Sequence, residues 1–443
     1  MASGSDRSMA QGPKVCQVEL AEGIDVESGG PWVPLRCFTR DGRIGISAPM
    51  PDADAVPSGG SRDFLAVSTA QFAMAFALNF MFVFLPFYIR AVSDLDEAAT
   101  LRWTGLILGA AASTATFGSA FWGSLSDRFS PKALFERGMV SHIILVTVMA
   151  FTADVRLLFV LRLVQGFLGG ISTIGLIIVS AISDEDQRAR RMGAYQSALT
   201  LGQIFGPPLG GLGADLLGFR GAFLTSAGML TCVWIFSHLT LSRIPPRPRR
   251  GDGETVSRRH LLLAWVISLV ATMHIVFLPS ILPAILRDFG VPESSRLVSA
   301  GAIVFAYGAA AAAGSYGFSR LAGRIPPFRL VLVAAAGASV FQVLLIVGSG
   351  PVTFTLIRMA QTACAAGIFP LVLAQVAARG RGRTIGFINT ARFAGMALGP
   401  VAATFILAHA DLLTLYIVLA MTLALAAAAT LLGRSGEEQD ANA

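Results

Sequence analysis

Five ionisable side chains lie inside long apolar stretches of this sequence. Two are histidines and three are arginines, namely His142, Arg162, His274, Arg358 and Arg392. Ionisable groups are costly in hydrocarbon, so those found there usually pair with each other, bind a ligand or carry protons. A histidine titrates near neutral pH, and an arginine presents a planar fork of five donors that suits an anion. This set therefore predicts binding of anions or protons within a membrane.

Asp and Glu are absent from the interior of the predicted apolar stretches and occur only within three residues of an end, at Asp154, Asp215 and Asp411. If protons are bound there, a histidine is expected to bind them, since its ordinary pKa of about 6.5 lies close to working pH. His274 is the better candidate because it lies deeper in its stretch than His142. The alternative for either residue is a neutral histidine that is hydrogen-bonded between packed helices.

Two of the arginines are followed three residues later by a glutamine, in the pairs Arg162 with Gln165 and Arg358 with Gln361. A spacing of three residues places both side chains of a pair on one face of a helix. A buried arginine without an acid needs carbonyls, amides, water or an anion as acceptors. Both structural and ligand-binding roles remain open for these two pairs.

Arg392 has no basic counterpart in the first half of the chain, where Leu199 aligns with it. Such asymmetry favours contact with a substrate, which would be anionic or zwitterionic. Gln71 and Asn79 are eight residues apart and fall near one face of their helix, so we expect them to line the same cavity together with phenylalanines.

Composition places most of the chain in a membrane. Hydrophobic residues make up 54% and charged residues 14%, and the mean hydropathy is +0.66. A helix of roughly 20 residues crosses the hydrocarbon core. Twelve spans are predicted, at 64–89, 103–125, 138–155, 157–182, 192–217, 220–241, 261–287, 297–319, 330–348, 352–378, 384–408 and 411–433. Unbroken Ala- and Leu-rich runs favour helices over the alternation of a barrel.

Basic residues are distributed unevenly between the two sides of the predicted membrane. The internal loops on the side of the N-terminus carry 18 Arg and Lys, and the loops on the other side carry 6. By the positive-inside rule both termini are cytoplasmic. The net charge of +7 is therefore a topology signal and requires no nucleic-acid partner. The four cysteines lack metal-site spacing, so no metal is predicted.

The predicted spans fall into two groups separated by a polar segment. Residues 1–63 are predicted to be a disordered cytoplasmic tail, 64–241 a first six-helix bundle, and 242–260 an arginine- and proline-rich cytoplasmic linker. Residues 261–433 form the second six-helix bundle, and 434–443 a cytoplasmic C-terminal tail. The predicted fold class is an all-α polytopic membrane protein.

The two bundles repeat each other in sequence. "VFLP" occurs at 83–86 and again at 276–279, and "RLVQG" at 162–166 returns as "RMAQT" at 358–362. Parallel repeats related by an axis along the membrane normal are typical of transporters that expose a central site to each side in turn. The repeat therefore favours transport.

Three motifs resemble signatures of the major facilitator superfamily, and together they extend the resemblance over 64–433. The stretch "GSLSDRFSPK" resembles the family's loop between helices 2 and 3, although Ser130 and Pro131 replace its usual Gly and Arg. "RLVQGFLGG" resembles the helix 4 signature, and "GQIFGPPLGG" the helix 5 signature of the 12-helix drug:proton antiporter branch. The matching residues are Gly123, Leu125, Asp127, Arg128 and Lys132; Arg162, Gln165 and Gly166; and Gly202, Gly206, Pro207, Gly210 and Gly211.

The resemblance implies roles for two of these motifs. In the family, the acidic residue at Asp127 helps to latch the halves in the outward-facing state, whereas the second half has Gly323 there. Gly202, Gly206 and Gly210 recur every four residues, which lets another helix approach closely. We expect this antiporter seam to be pliable where the halves close and open.

The sequence therefore predicts a secondary active exporter of small amphipathic molecules, coupled to protons by antiport, in a bacterial inner membrane. Two alternatives remain: an importer or facilitator of an organic anion, and a sensor or scaffold built on a transporter fold. An enzyme is not expected, since there is no catalytic motif and no phosphate-binding loop. The expected partners are a small-molecule substrate, the lipid bilayer and protons as the coupling ion, with no cofactor and a monomeric state.

Overall fold

In the computed structural model, residues 60–126, 128–242, 258–377 and 382–440 are described, and these ranges contain helices and no strand. Residues 60–242 are called the first half, and residues 258–440 the second half. The helices of the first half are α1 Gly60–Val92, α2 Glu97–Leu125, α3 Pro131–Met149, α4 Val155–Phe167, α5 Ile171–Ala181 and α6 Glu185–Thr240.

The second half begins with α7 Arg258–Val276, a 3-10 turn Leu278–Ser280 and the short α8 Leu282–Asp288. It continues with α9 Glu293–Leu321, α10 Pro327–Leu344, a 3-10 turn Leu345–Val347, α11 Pro351–Ala377, α12 Gly382–His409 and α13 Leu412–Asp440. The near end of the bundle is where α1 and α7 begin. The far end is where α1 and α8 end.

Ten segments of the described chain are long and apolar enough to cross a membrane. One of these segments, Arg190–Thr240 within α6, contains two of the predicted spans. The two spans are separated at Gly218, where the backbone departs from helical geometry (φ 67°, ψ 171°). Helix α3 is not among the ten, since it carries several charges near its start, such as Lys132 and Glu136. Counting α3 and both parts of α6, the chain makes the twelve predicted crossings.

The predicted boundaries need three corrections. Helix α1 begins at Gly60, so Asp63 belongs to its first turn and not to the predicted tail. The carboxylate of Asp63 accepts a hydrogen bond from the backbone N–H of Ser242, which ties the two ends of the first half together. Helix α7 begins at Arg258, inside the predicted linker, and α13 continues to Asp440. Residues 1–59 and 243–257 of the tail and linker lie outside the described residues.

The two halves share one buried hydrophobic cluster, and it lies at the far end. It joins side chains from the later part of α1, such as Phe84 and Leu85, to side chains after α7, such as Leu278 and Leu282. Helix contacts repeat this pattern: Gly105 of α2 meets Thr404 of α12, and a side chain there would clash with it. Burial of this apolar surface holds the far end closed.

Toward the near end, the buried clusters keep to one half each. One contains Val67, Leu134 and Tyr195 of the first half, and the other contains Ile267 and Leu330 of the second half. No buried hydrophobic cluster of the described residues joins the halves there. The molecule is therefore closed at the far end and divided at the near end.

The two "VFLP" copies differ in structure. Helix α1 continues through Pro86, whereas the second copy ends α7 at Val276 and turns at Leu278–Ser280. Proline has no backbone N–H, so Pro279 cannot donate to the carbonyl of Ile275 four residues earlier. That carbonyl instead accepts a hydrogen bond from Arg358 Nη2 at 2.8 Å. The broken helix is thus completed by a side chain from another helix.

An ion pair crosses between the halves at the far end. Arg287 Nη1 of α8 lies 2.8 Å from Glu97 Oε1 of α2, and Arg90 of the first half lies 3.3 Å from the same oxygen. Both Arg287 and Glu97 are largely exposed, so the pair is expected to contribute at most about 1 kcal/mol. A difference of that size changes a two-state ratio by about fivefold at most.

We expect Glu97→Gln to raise the population open at the far end by up to about fivefold. The measurement is the rate at which a thiol reagent labels a cysteine placed at Ile285, a fully buried far-end position, with the native cysteines replaced. Arg287→Gln should act alike. Arg90→Gln, which removes a pair within one half, is the control and should change little; equal effects of all three would contradict a contact between halves.

Candidate functional site

Arg358 on α11 lies in the core of the second half with none of its surface exposed. Its Nη1 donates to the carbonyl of His274 at 2.9 Å and to Gln361 Oε1 at 2.5 Å. Its guanidinium carbon lies 4.6 Å from the ring centre of Phe277 and 4.8 Å from that of Tyr307. Both terminal nitrogens of the guanidinium thus have acceptors, while its buried Nε has none among the described residues. Through its bonds to the carbonyls of His274 and Ile275, Arg358 fastens α11 to the break in α7.

His274 is equally enclosed. Its Nε2 lies 2.9 Å from the carbonyl of Leu419 on α13, to which it must donate. Gln361 Nε2 lies 3.3 Å from its Nδ1, and Gln342 of α10 also contacts that nitrogen. Arg358 orients the Gln361 amide so that its NH₂ faces Nδ1, whereas Gln342 approaches the same nitrogen with its acceptor oxygen Oε1 at 3.2 Å, so Nδ1 lies between a donor and an acceptor. His274 therefore faces α10 and α13, away from the first half.

Arg162 and its neighbours fasten α4 to α2. Arg162 Nη1 donates to Gln165 Oε1 at 2.7 Å, and its Nε donates to the carbonyl of Ile107 at 3.3 Å. Gly166 lies so close to Ala111 of α2 that a Cβ there would overlap its carbonyl. All three members of the predicted helix 4 signature thus serve one helix contact inside the first half.

Sequence reasoning missed a second set of donors, at the break between α4 and α5. Gly170 adopts φ +85°, a conformation that glycine adopts readily, and the carbonyls before it lose their helical partners. Trp122 Nε1 donates to the carbonyl of Phe167 at 2.8 Å, and Arg137 Nη1 to that of Leu168 at 2.7 Å. The Gly169–Gly170 pair was the available signal for this break.

The loop predicted to switch conformations lies at the near end. Lys132 Nζ donates to the carbonyls of His238 and Leu241, at 3.0 Å and 2.5 Å, and thereby caps the end of α6. Gly123 and Leu125 pack inside the first half, and the backbone N–H of Arg128 bonds to Leu125. Asp127 lies outside the described residues, so its predicted role as a latch stays a prediction.

The predicted antiporter seam contacts α1 of its own half. A Cβ added at Gly202 would lie 2.5 Å from the carbonyl of Phe72, and one at Gly206 would lie 2.8 Å from that of Phe76. Gly210 is in still closer contact with Phe80. The stripe thus brings α6 against α1 and does not itself form the contact between halves.

The next residues of the motif do reach the second half. A Cβ at Gly211 would overlap the carbonyl oxygen of Leu297 on α9, and one at Gly301 would lie 2.8 Å from the carbonyl of Pro207. One motif therefore supports two contacts, one within the first half and one between the halves.

The predicted polar face of α1 is divided. Gln71 is fully buried, where its Nε2 donates to Ser172 and its Oε1 accepts from Tyr195 at 2.6 Å. Its hydrogen-bonding capacity is used within the first half. Asn79 is partly exposed, and its amide donates to the carbonyl of Ala75 at 2.8 Å.

Arg392 of α12 differs from the other arginines within the spans. Its guanidinium carbon lies 4.8 Å from the ring centre of Phe369 on α11, and the side chain is partly exposed. Among the described residues it has no hydrogen-bond acceptor and no acidic partner. The other two candidates, Arg162 and Arg358, each have acceptors on carbonyls and a glutamine.

Twelve helical crossings in two halves of related sequence, joined at one end and divided at the other, define a membrane transporter and not an enzyme. The chain belongs to the Major Facilitator Superfamily, whose model matches residues 67–356 and 261–443. As a member of that family it is a multi-pass membrane protein that transports a small molecule, and it resembles the drug:proton antiporter branch.

Three known proteins show how far the similarity extends. The multidrug resistance protein MdtG of Proteus mirabilis is 23% identical over 339 residues, covering 74% of this chain and 84% of the relative. The Staphyloferrin B transporter of Staphylococcus aureus is 27% identical over 187 residues, which are 42% of this chain and 45% of that protein.

A solved structure of a bacterial homolog to the human lysosomal transporter Spinster, in an inward-facing and occupied conformation, superposes with a TM-score of 0.71. It is 16% identical, and the superposition covers 85% of this chain and 97% of that one. At this identity the likeness establishes the fold.

We expect Gly206→Leu to abolish transport while the protein still inserts in the membrane, because a branched side chain would push α6 away from the Phe76 carbonyl. Initial transport rates normalised to membrane expression give the measurement. Gly228→Leu on the same helix is the matched control, since a Cβ at Gly228 has no neighbour within 4 Å. Full activity of the Gly206 variant at normal expression would contradict the close packing.

We expect His274→Gln to lower the thermal stability of the purified protein while leaving the pH dependence of transport unchanged. The substitution removes hydrogen bonds within the second half, and His274 is enclosed by α7, α10, α11 and α13. Melting temperature and transport rate between about pH 5.5 and 8 provide the two measurements. A shifted pH profile at unchanged stability would instead make His274 a coupling residue.

Proposed function

We propose that the protein is a secondary active exporter of small amphipathic molecules, driven by proton antiport across a bacterial inner membrane. One observation carries the proposal: the halves are sealed at the far end by a shared apolar cluster and divided at the near end. The near-end loops hold most of the basic residues, which supports placing that end and both termini in the cytoplasm. Molecules would therefore enter from the cytoplasm.

The transport cycle follows from the same arrangement. Substrate enters between the divided near-end faces, the halves rock, and the far-end contacts separate to release it. The close glycine contacts between α2 and α12 and between α6 and α9 suit such motion, since small residues allow helices to slide and part without interlocked side chains. The names of the relatives, such as the multidrug resistance protein MdtG, support export of drug-like molecules.

Proton coupling is the finer part of the proposal. The predicted spans carry aspartates only within three residues of an end, and His274 is enclosed in the second half. The proton that drives antiport is therefore expected to bind at a near-end acid such as Asp127, where protonation would shift the balance between the two access states.

A second candidate function is uptake or facilitated passage of an organic anion. The observation that favours it is the set of arginines inside spans whose interior has no Asp or Glu. For an anion taken up with a proton, each ligand helps the other to bind, whereas antiport requires them to compete.

We expect expression in an exporter-deficient bacterial host to lower the intracellular level of one or more drugs from a chemically mixed panel. Everted vesicles from these cells should accumulate the same drug when the lumen is acidified and lose it when a protonophore collapses the gradient. The Gly206→Leu variant serves as the inactive control.

Two other results of the vesicle assay would contradict export by proton antiport. Accumulation that requires acid on the outside of the vesicles, where the substrate is added, would favour cotransport with the proton. Absence of any transport by a well-expressed protein would overturn the proposal and favour the sensor or scaffold alternative.

A further inference from the structure

We propose that Arg392, resting on the face of Phe369, is the anion-recognition residue of the transport cavity, so that the substrate carries a carboxylate beside an apolar part. This inference rests on the proposed transport function and names its substrate class. It depends on the position of the guanidinium, on its unfilled donors and on the lack of an acidic partner among the described residues.

The first step concerns the depth of the guanidinium. Arg392 lies between one and two turns inside the apolar stretch Phe387–His409, where a long side chain could extend back to water at the near end. Phe369, however, lies eight residues before α11 ends at Ala377, or about 12 Å at 1.5 Å per residue. Because the guanidinium carbon lies 4.8 Å from that ring centre, the charge stays at this depth instead of extending to the surface.

The second step concerns the side of α7 on which this contact lies. Helix α7 stands between α11 and α12. One side of it faces α10 and α13, because His274 bonds to Gln342 and to the Leu419 carbonyl there. A contact from α12 to α11 therefore passes across the opposite side of α7, which is turned toward the first half. The guanidinium thus borders the space between the two halves.

The third step concerns hydrogen bonding. A guanidinium has five N–H donors, and those of Arg162 and Arg358 are mostly directed at carbonyls and glutamines. Within the described part of the chain, Arg392 has only the Phe369 ring as a partner. The ring attracts the guanidinium through its negative face and leaves the N–H groups in the guanidinium plane free.

The fourth step identifies the ligand. A cation in a membrane span without an acidic partner is retained at a cost, which a bound anion offsets. The guanidinium fork matches a carboxylate, whose two oxygens accept a pair of parallel hydrogen bonds. Phe369 and the apolar composition of the segments that carry both residues suit an apolar or aromatic body attached to that group. An amphipathic organic carboxylate fits both features.

The test is a binding measurement that needs no proton gradient. Purified full-length protein in lipid nanodiscs is titrated calorimetrically with 1-naphthoate and with its neutral isostere 1-naphthamide, against empty nanodiscs. We expect the wild type to bind the carboxylate at least tenfold more tightly than the amide. Arg392→Gln should remove this preference by weakening carboxylate binding tenfold or more, with amide binding unchanged.

Two variants separate recognition from general damage. Leu398→Gln introduces a glutamine six positions further along α12, on another flank of the helix, where the Leu398 side chain is 47% exposed. This variant should keep the preference for the carboxylate. Arg392→Lys keeps the charge without the fork, and should keep the preference while binding the carboxylate more weakly than the wild type. It also serves as the test should Arg392→Gln fail to fold.

Equal or undetectable binding of both probes to the wild type would overturn the proposal, as would a preference that survives Arg392→Gln. These outcomes are independent of the vesicle assay. If the protein exports neutral drugs but shows no Arg392-dependent preference, the proposed function stands and this substrate class is wrong. If it shows the preference but does not export, the substrate class stands and the proposed export is wrong.

Discussion

Backbone carbonyls that a helix break releases inside a membrane must find donors within the protein, because hydrocarbon supplies none. This constraint accounts for much of the polar chemistry in the structure. At the end of α7, Pro279 leaves the Ile275 carbonyl without a partner, and Arg358 bonds to it. At the α4–α5 break, Trp122 donates to the Phe167 carbonyl and Arg137 to the one that follows. Residues that resemble ligand-binding groups are thus occupied in closing helix ends.

These donors make each half a connected body. Arg358, His274 and Gln361 join α7, α10, α11 and α13, and Arg162 joins α4 to α2. Buried polar groups of this kind are expensive to separate, since every lost partner leaves a desolvated group behind. The contacts between halves are different in kind, being an apolar cluster, glycine-lined helix crossings and an exposed ion pair. Motion is therefore concentrated between the halves, where separation leaves few buried polar groups unsatisfied.

The same distinction divides the arginines into two classes. Arg162 and Arg358 direct most of their donors at acceptors within their own half, and removal of Arg358 would leave the Ile275 carbonyl unpaired. Arg392 rests on an aromatic face with its donors unfilled by the described residues. A transporter whose predicted spans carry acids only near their ends, with such a cation facing the dividing plane, is suited to a substrate that brings its own negative charge.

The sequence by itself determined the helical crossings, the twofold repeat and the family, because hydropathy and short motifs are local properties. It also identified Gly202, Gly206 and Gly210 as a close-packing stripe, and the structure placed α1 of the same half against it. Which carbonyls lacked partners was decided only by the tertiary structure. Identical "VFLP" segments gave a continuous helix at Pro86 and a break at Pro279, where Arg358 of another helix supplies the missing donor. A sequence shows which side chains carry charge, whereas the packing of distant helices decides which of those charges remain free to bind a ligand.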